Sequence, residues 1–384
     1  MAKKTGAKGF ATEELIRSYF LSAGFYVLRS VPFRLDGTDL TDIDLWIYER
    51  SATLARRRTI IDIKDKRTPQ AAERLLFVKG LAEVLKVEGA GVATTDNRLA
   101  LRDLARRQNL VWLDGADLQR FKSSERLANT TRLTEEDLIA LITRVDAARS
   151  SREIRDGYET VKSAVADRFG ASCANSALEG VEQFAKMALQ AQPGSEAAKL
   201  AGRLTLLATS VAAVALDFAC ADVALRPAGE RLRYITDALR YGQDRTGTQE
   251  NLKWAQAAIS DFLPNGSALA RTVRDRFTDA LRQVPAEGLA EIVVKAAATD
   301  RLFEAARALE AAAFAADLPT FDEIDVEARS ILGAVLDFAR VDRSLFARAW
   351  TSTTKAISPP TPTPAEGETP AITSAPEERS DKLL

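Results

Sequence analysis

The stretch TDIDLWIYERSATLARRRTIIDIK, residues 41–64, holds two runs in which apolar and polar residues alternate, joined by a short polar link. Alternation with a period of two puts successive side chains on opposite faces of an extended chain. In the second run Ile61 and Ile63 then enter one layer while Asp62 and Lys64 project together from the other. In the first run Asp42 and Asp44 share a face. An antiparallel hairpin of the two runs would set one of these acids beside Asp62, so two carboxylates and a lysine would meet at one end of a sheet.

Working outward, helix and strand signals alternate. Residues 12–23 place Ile16, Phe20 and Ala23 on one helical face, with Thr12 as an N-cap and Gly24 as a stop. Residues 25–33, 41–49 and 58–64 read as strands, with Asp36, Gly37 and Asp39 turning between the first two. Beyond Pro69, apolar residues at 71, 75, 78, 82 and 85 have helical spacing. A strand at 90–95, a helix at 99–109 and a strand at 110–115 complete an α/β region that ends near 125. From 133 to 350 strand signals nearly vanish. Alanine- and leucine-rich helical segments follow one another, broken at Gly170, 192–195, 226–229, 264–267, Pro285 and Pro319. Residues 351–384, rich in Pro, Ser, Thr and Glu, have the composition of a disordered tail.

Composition narrows the chemistry. The 384 residues contain no histidine. That removes Ser-His-Asp and Cys-His catalysis, Cys₂His₂ zinc sites and HExxH metalloproteases. There is no GxxxxGK[ST] phosphate loop. Cys173 and Cys220, far apart, suit small core residues in a reducing, cytoplasmic setting rather than a disulfide framework. Residues 204–225 approach the length of a membrane span, but Asp217 and Asp222 interrupt them, and a buried helix without any membrane is expected. Residues 1–122 carry 22 Lys and Arg against 16 Asp and Glu, and the remainder 31 against 38. A basic front suits an anionic partner such as DNA, whereas the acidic helical part suits a protein partner.

Two carboxylates held close repel, and a divalent cation relieves the repulsion. Mg²⁺ prefers hard oxygen ligands, so Asp44, Asp62 and the Ile63 carbonyl form a partial shell for it. Such an ion lowers the pKa of a bound water, while Lys64 would orient that water or neutralise charge on a phosphorane. Metal-assisted phosphodiester hydrolysis is the reaction these residues imply.

The segment 41–64 resembles the D-Xn-(D/E)-X-K signature of PD-(D/E)XK nucleases, with Asp44, Asp62 and Lys64 in its three positions. GFATEELIRSYFLSAGFYVL (9–28) and GAGVATTDNRLALRDLARRQNLVWLDGADL (89–118) are similar to the opening and closing segments of the Mrr-like restriction endonuclease and Holliday-junction-resolvase branch. The likeness covers about residues 9–120. Ile43 stands where the motif's proline would be, and Asp42 and Asp44 compete for the first ligand position, with Asp44 favoured by the Leu-Trp-Ile that follows it.

The resemblance implies a restriction-endonuclease-like α/β domain at 1–125 with a mixed sheet flanked by helices, while the helical segments that follow read as an all-α domain at 133–350 and residues 351–384 as a disordered tail. It implies a Mg²⁺-dependent endodeoxyribonuclease, with Mn²⁺ able to substitute, serving restriction or anti-phage defence. It adds an acid from the first helix, Glu13 in preference to Glu14, and a contact from Gln70 at the head of the next helix. Arg56, Arg57, Arg58, Lys66 and Arg67 are candidate contacts to the DNA backbone. The alternatives are a catalytically silent nuclease-fold DNA-binding or scaffold protein, and a structure-selective repair resolvase, which would act as a homodimer.

Overall fold

A mixed sheet forms the N-terminal third of the chain. The computed structural model describes residues 3–35, 37–64, 70–124, 131–242 and 245–350, so Asp36, Lys66, Arg67 and the tail from 351, all singled out above, lie outside the described residues. Helix α1 (Lys3–Ser22) starts well ahead of Thr12, which lies buried within it rather than capping it. Gly24, at φ 97°, takes the left-handed conformation that stops it.

Strands β1 (Tyr26–Leu35), β2 (Thr38–Arg50) and β3 (Arg56–Lys64) pair antiparallel in sequence order. Helix α2 (Ala71–Leu85) then crosses to β4 (Gly89–Thr94), and α3 (Leu99–Arg107) crosses to β5 (Val111–Leu113), each strand parallel to its predecessor. Parallel neighbours need such crossovers because a tight turn can only reverse the chain. The sheet order is β1-β2-β3-β4-β5. Residues 114 and 115, expected to end the last strand, instead begin α4 (Gly115–Lys122). The Asp114 carboxylate accepts from the Ala116 and Asp117 N–H groups, and Asp117 accepts from the Asp114 N–H, closing a capping box.

Period-two alternation divides the sheet between two layers. Val27, Leu45, Ile47, Ile61, Ile63 and Ala93 pack against Ile16 of α1 and Leu118 and Phe121 of α4. Tyr26, Leu28, Trp46, Tyr48, Ile60 and Val92 face the other way, into a core that continues through the helices that follow.

Those helices are α5 (Glu135–Ala148), α6 (Glu153–Asp167), α7 (Ala171–Gln190), α8 (Glu196–Ala221), α9 (Ala228–Tyr241), α10 (Arg245–Phe262), α11 (Gly266–Gln283), α12 (Ala286–Ala297), α13 (Arg301–Phe314), α14 (Val326–Phe338) and α15 (Arg343–Ala349). Every break expected from sequence lies at a junction between two of them, with 226–229 and 264–267 running into the first two residues of α9 and α11. Phe169, after α6, lies 4.8 Å from the Trp46 ring, and Phe303 of α13 lies 5.8 Å from Tyr48. Sheet and helices therefore belong to one compact unit, and the boundary expected near residue 125 joins parts that share a core.

Helix α8 runs through that core. It is long and apolar enough to cross a membrane, yet 89% of its most apolar window is buried inside the protein. Asp217 has a structural reason to interrupt it. Fully buried, it accepts from the Tyr48 hydroxyl at 2.6 Å, Arg50 Nη1 at 2.7 Å and Arg56 Nε at 2.6 Å. A buried carboxylate is tolerable only with such partners, and here they tie α8 to the β2–β3 hairpin.

Candidate active site

The two ladders beside Asp44 both leave it out. Pairing of β2 with β3 ends at Leu45 and Ile61, and pairing with β1 passes from Arg29–Leu45 to Val31–Ile43, skipping Ser30 and Asp44 opposite one another. Ser30 has φ 51°, the left-handed region that non-glycine residues seldom adopt. Beyond Leu45 the strand β2 stays with β1, and β3 stays with β4 through Lys64 and Thr94. The strands open, and the acids sit in the opening.

Asp44 fills the gap with its side chain. Its Oδ2 accepts from the Ile63 N–H at 2.6 Å, standing in for the strand carbonyl that would have been there. A residue's N–H and C=O leave an extended strand on the same edge, so the Ile63 carbonyl opens toward the same gap. Lys64 reaches across from β3, its Nζ 3.7 Å from Asp44 Oδ2 and 3.8 Å from Asp62 Oδ1. The Asp62 side chain is 8% exposed, Asp44 18% and Lys64 30%, so the group is accessible from one side only. Of the residues expected to converge, Asp44, Asp62 and Lys64 do.

The remaining acids take separate places. Glu13 accepts from Arg29 Nε at 2.9 Å. Burial pushes its carboxyl above the usual value and the nearby Asp44 charge adds to that shift, while Arg29 opposes it. Glu14 faces Arg17 and Arg29, each at 3.3–3.4 Å. Arg29 also holds Glu136 of α5, and Arg17 holds Glu310 of α13 at 2.7 Å, with Arg132 on the same carboxylate. Asp42 is exposed and lines a different cleft, of about 540 Å³, with Arg34, Glu159 and Lys162. Gln70 is exposed ahead of α2 and makes no side-chain capping bond.

The arginines need a correction. Arg56, Arg57 and Arg58 begin β3, four to six residues before Asp62, which at strand rise is about 13–20 Å along the strand. Arg56 is buried on Asp217 and unavailable to DNA. Arg58 grips Glu88 at 2.6 Å and covers the Phe218 ring at 4.7 Å. Arg57 is 42% exposed, but at this far end. Arg56 and Arg58 anchor the hairpin to α8, through Asp217 and the Phe218 ring.

Arg74 was not anticipated. From the first turn of α2 it forks onto Asp62, Nε donating to Oδ2 at 2.7 Å and Nη2 donating to Oδ1. Its guanidinium also lies over the Phe77 ring at 4.3 Å. Burial lowers its pKa and the Asp44 charge opposes that shift. A sequence signal existed, since position 74 lies between 71 and 78 on the inward stripe of α2, where an arginine requires a partner.

A divalent cation suits the donor chemistry here, because two carboxylates and a strand carbonyl border one gap and all are hard oxygens. Asp62 already carries the Arg74 fork, so an ion bound by both acids would have to displace it. Among the described residues no group of three or more acids and cysteines is close enough to form a complete metal site. Comparison with family models, curated proteins and solved structures returned no match.

Proposed function

We propose that the chain is a metal-dependent endodeoxyribonuclease with a restriction-endonuclease-like N-terminal fold, hydrolysing phosphodiester bonds at the opening between β2 and β3. The observation that carries this reading is Lys64 bridging Asp44 and Asp62 where both ladders leave Asp44 out. The element order, a helix, three antiparallel strands, a crossover helix and a parallel strand, also supports it.

Asp44, Asp62 and the Ile63 carbonyl would hold Mg²⁺ or Mn²⁺, which supplies charge neutralisation and an acidified water when bound. Lys64 donates to the attacking water or to a non-bridging phosphate oxygen, where negative charge grows in the transition state. The Ile63 N–H fixes the Asp44 carboxylate, so its free oxygen keeps one direction. Arg74, once off Asp62, has a planar fork matched to a phosphate. Placement in restriction or anti-phage defence rests on the family resemblance alone.

The test is incubation of the full-length chain with plasmid, linear and four-way-junction DNA and Mg²⁺ or Mn²⁺, beside Asp44→Ala, Asp62→Ala and Lys64→Ala. Cleavage should fall at least about 100-fold in each variant. Undiminished cleavage by the Asp62 and Lys64 variants would refute the site. A second reading, a catalytically silent DNA-binding or scaffold protein, has one observation in its favour: Arg74 compensates Asp62 without any metal. That reading expects no Mn²⁺ binding by the wild type and unchanged DNA affinity after Asp44→Ala.

A further inference from the structure

Helices α10 and α11 form an antiparallel hairpin that contacts the rest of the protein chiefly through α9. On α11 only Gly266 and Ala270 are buried. Between the helices, Leu252 and Ile259 of α10 and Val273, Phe277 and Leu281 of α11 are merely half-buried. Each helix has 18 residues, about 27 Å at helical rise, and neither has a core beneath it.

The outer face of α10 has a pattern of its own. Trp254 is 76% exposed and Phe262 is 84% exposed, the two being the most exposed aromatic side chains among the large apolar residues left in solvent. They stand eight positions apart, and Ala258, also exposed, lies midway. Positions 254, 258 and 262 follow i, i+4 spacing and form a single stripe, large, small and large. Leu263 and Leu269, 48% and 43% exposed, lie near the tip where α10 passes into α11. An isolated apolar residue on a surface is ordinary, whereas a contiguous aromatic stripe marks an interaction site.

We infer that this stripe is a homodimer interface, in which the α10 helices of two copies of this chain pack antiparallel across a two-fold axis at Ala258. The stripe is complementary to itself. A two-fold contact requires that residue i meet j while j meets i. About an axis at 258, Trp254 meets Phe262 of the second copy and Phe262 meets its Trp254, with the two Ala258 methyls leaving room for the helices to approach. About this axis Lys253 falls opposite Leu263 and Asp261 opposite Ala255, so each lysine lies about two positions along the seam from the other copy's aspartate, within reach of its long side chain. One helix face per copy puts this contact at the low end of interface sizes, below about 1,200 Å², the range of weak, reversible association. This inference is independent of the nuclease reading.

Sedimentation of the full-length chain at concentrations on the order of 100 µM should give a dimer that dissociates on dilution into the micromolar range. Trp254→Ser and Phe262→Ser replace exposed side chains, so far-ultraviolet circular dichroism should be unchanged while the dissociation constant rises at least about tenfold. Ala258→Cys should form an intermolecular disulfide under mild oxidation, and Gln190→Cys, exposed on α7, should not; the native Cys173 and Cys220 are buried. A monomeric wild type would overturn the inference. So would a dimer that survives both serine substitutions without Ala258→Cys cross-linking, or a stripe whose substitutions reduce DNA binding while the chain stays monomeric.

Discussion

Arg74 donates to both carboxylate oxygens of Asp62, and this fork occupies the acid that the proposed chemistry requires as a ligand. Arg74→Ala should therefore have two effects of opposite sign. Without metal, a nearly buried carboxylate loses its partner and stability falls by about 1–3 kcal/mol. With Mn²⁺, the vacated oxygens bind more tightly, by about tenfold, and because a ligand of the native state stabilises it, the melting temperature should rise more on Mn²⁺ addition than in the wild type. Titration calorimetry and thermal melts read both effects. Equal metal affinity in the two proteins would show that Arg74 does not compete for the site.

Asp217 predicts a large loss. Replacing it with alanine strands Arg50 and Arg56 in the core and removes the acceptor of the Tyr48 hydroxyl, at a cost of about 3–5 kcal/mol. Asp217→Asn keeps an acceptor and should cost less. Urea denaturation followed by tryptophan fluorescence gives both numbers, and an alanine variant as stable as wild type would mean that the cluster does not anchor α8.

Two acids near α1 respond to pH in opposite directions. Burial pushes the Glu310 carboxyl up, but Arg132 and Arg17 outweigh it and hold the value below the ordinary 4.5. A depressed native pKa contributes stability above the unfolded value, which is lost as pH falls through the native one. For Glu13, burial chiefly, with Asp44, wins over Arg29 and holds the value above 4.5. Its contribution is complete below about 4.5 and is lost as pH rises through the native value. Melting temperature against pH should thus lose part of its acid limb in Glu310→Gln and show a shallower decline just above 4.5 in Glu13→Gln. An unaltered acid limb in Glu310→Gln would rule out its ion pairs as the cause.

Gly91, paired with Ile61, has no room for a side chain. A β-carbon there would stand 2.6 Å from the Val111 β-carbon and 2.8 Å from the Val111 carbonyl oxygen and from Ile61 Cδ1. Because one neighbour is backbone, Gly91→Ala must shift β5 or β3, costing about 1–3 kcal/mol. Displacement of β3 moves Asp62, so cleavage should fall along with stability, and a fully stable, fully active variant would count against this account.

The strands of the N-terminal region were legible because each is half-apolar with a strict period of two, and the predicted runs at 25–33, 41–49 and 58–64 overlap β1, β2 and β3 closely. The facing of Asp62 and Lys64 away from Ile61 and Ile63 follows from the same period. Helix α4 is not legible in the sequence although Asp114 and Asp117 carry a capping-box spacing, because Asp-Gly after an apolar run is equally the signature of a strand end. The partners of Arg56, Arg58 and Asp217 could not be read from local pattern. Arg56 and Asp217 are 161 residues apart and Arg58 meets the Phe218 ring of the same helix, so these contacts arise only when α8 lies across the sheet. An arginine run looks the same whether it faces phosphate or a buried acid.

Trp46 and Tyr48 lie against phenylalanines from α8, α13 and the end of α6, while Arg17 and Arg29 are buried on acids from α13 and α5. The sheet is therefore not a cassette. Excised after residue 124, it would turn its aromatic layer to water and take Glu310 from Arg17 and Glu136 from Arg29, leaving only Glu13 and Glu14 of α1 to balance two arginines. Grafted onto another protein, it would carry the same deficits, so any truncation or chimera that separates strands from helices tests foldability before it tests catalysis.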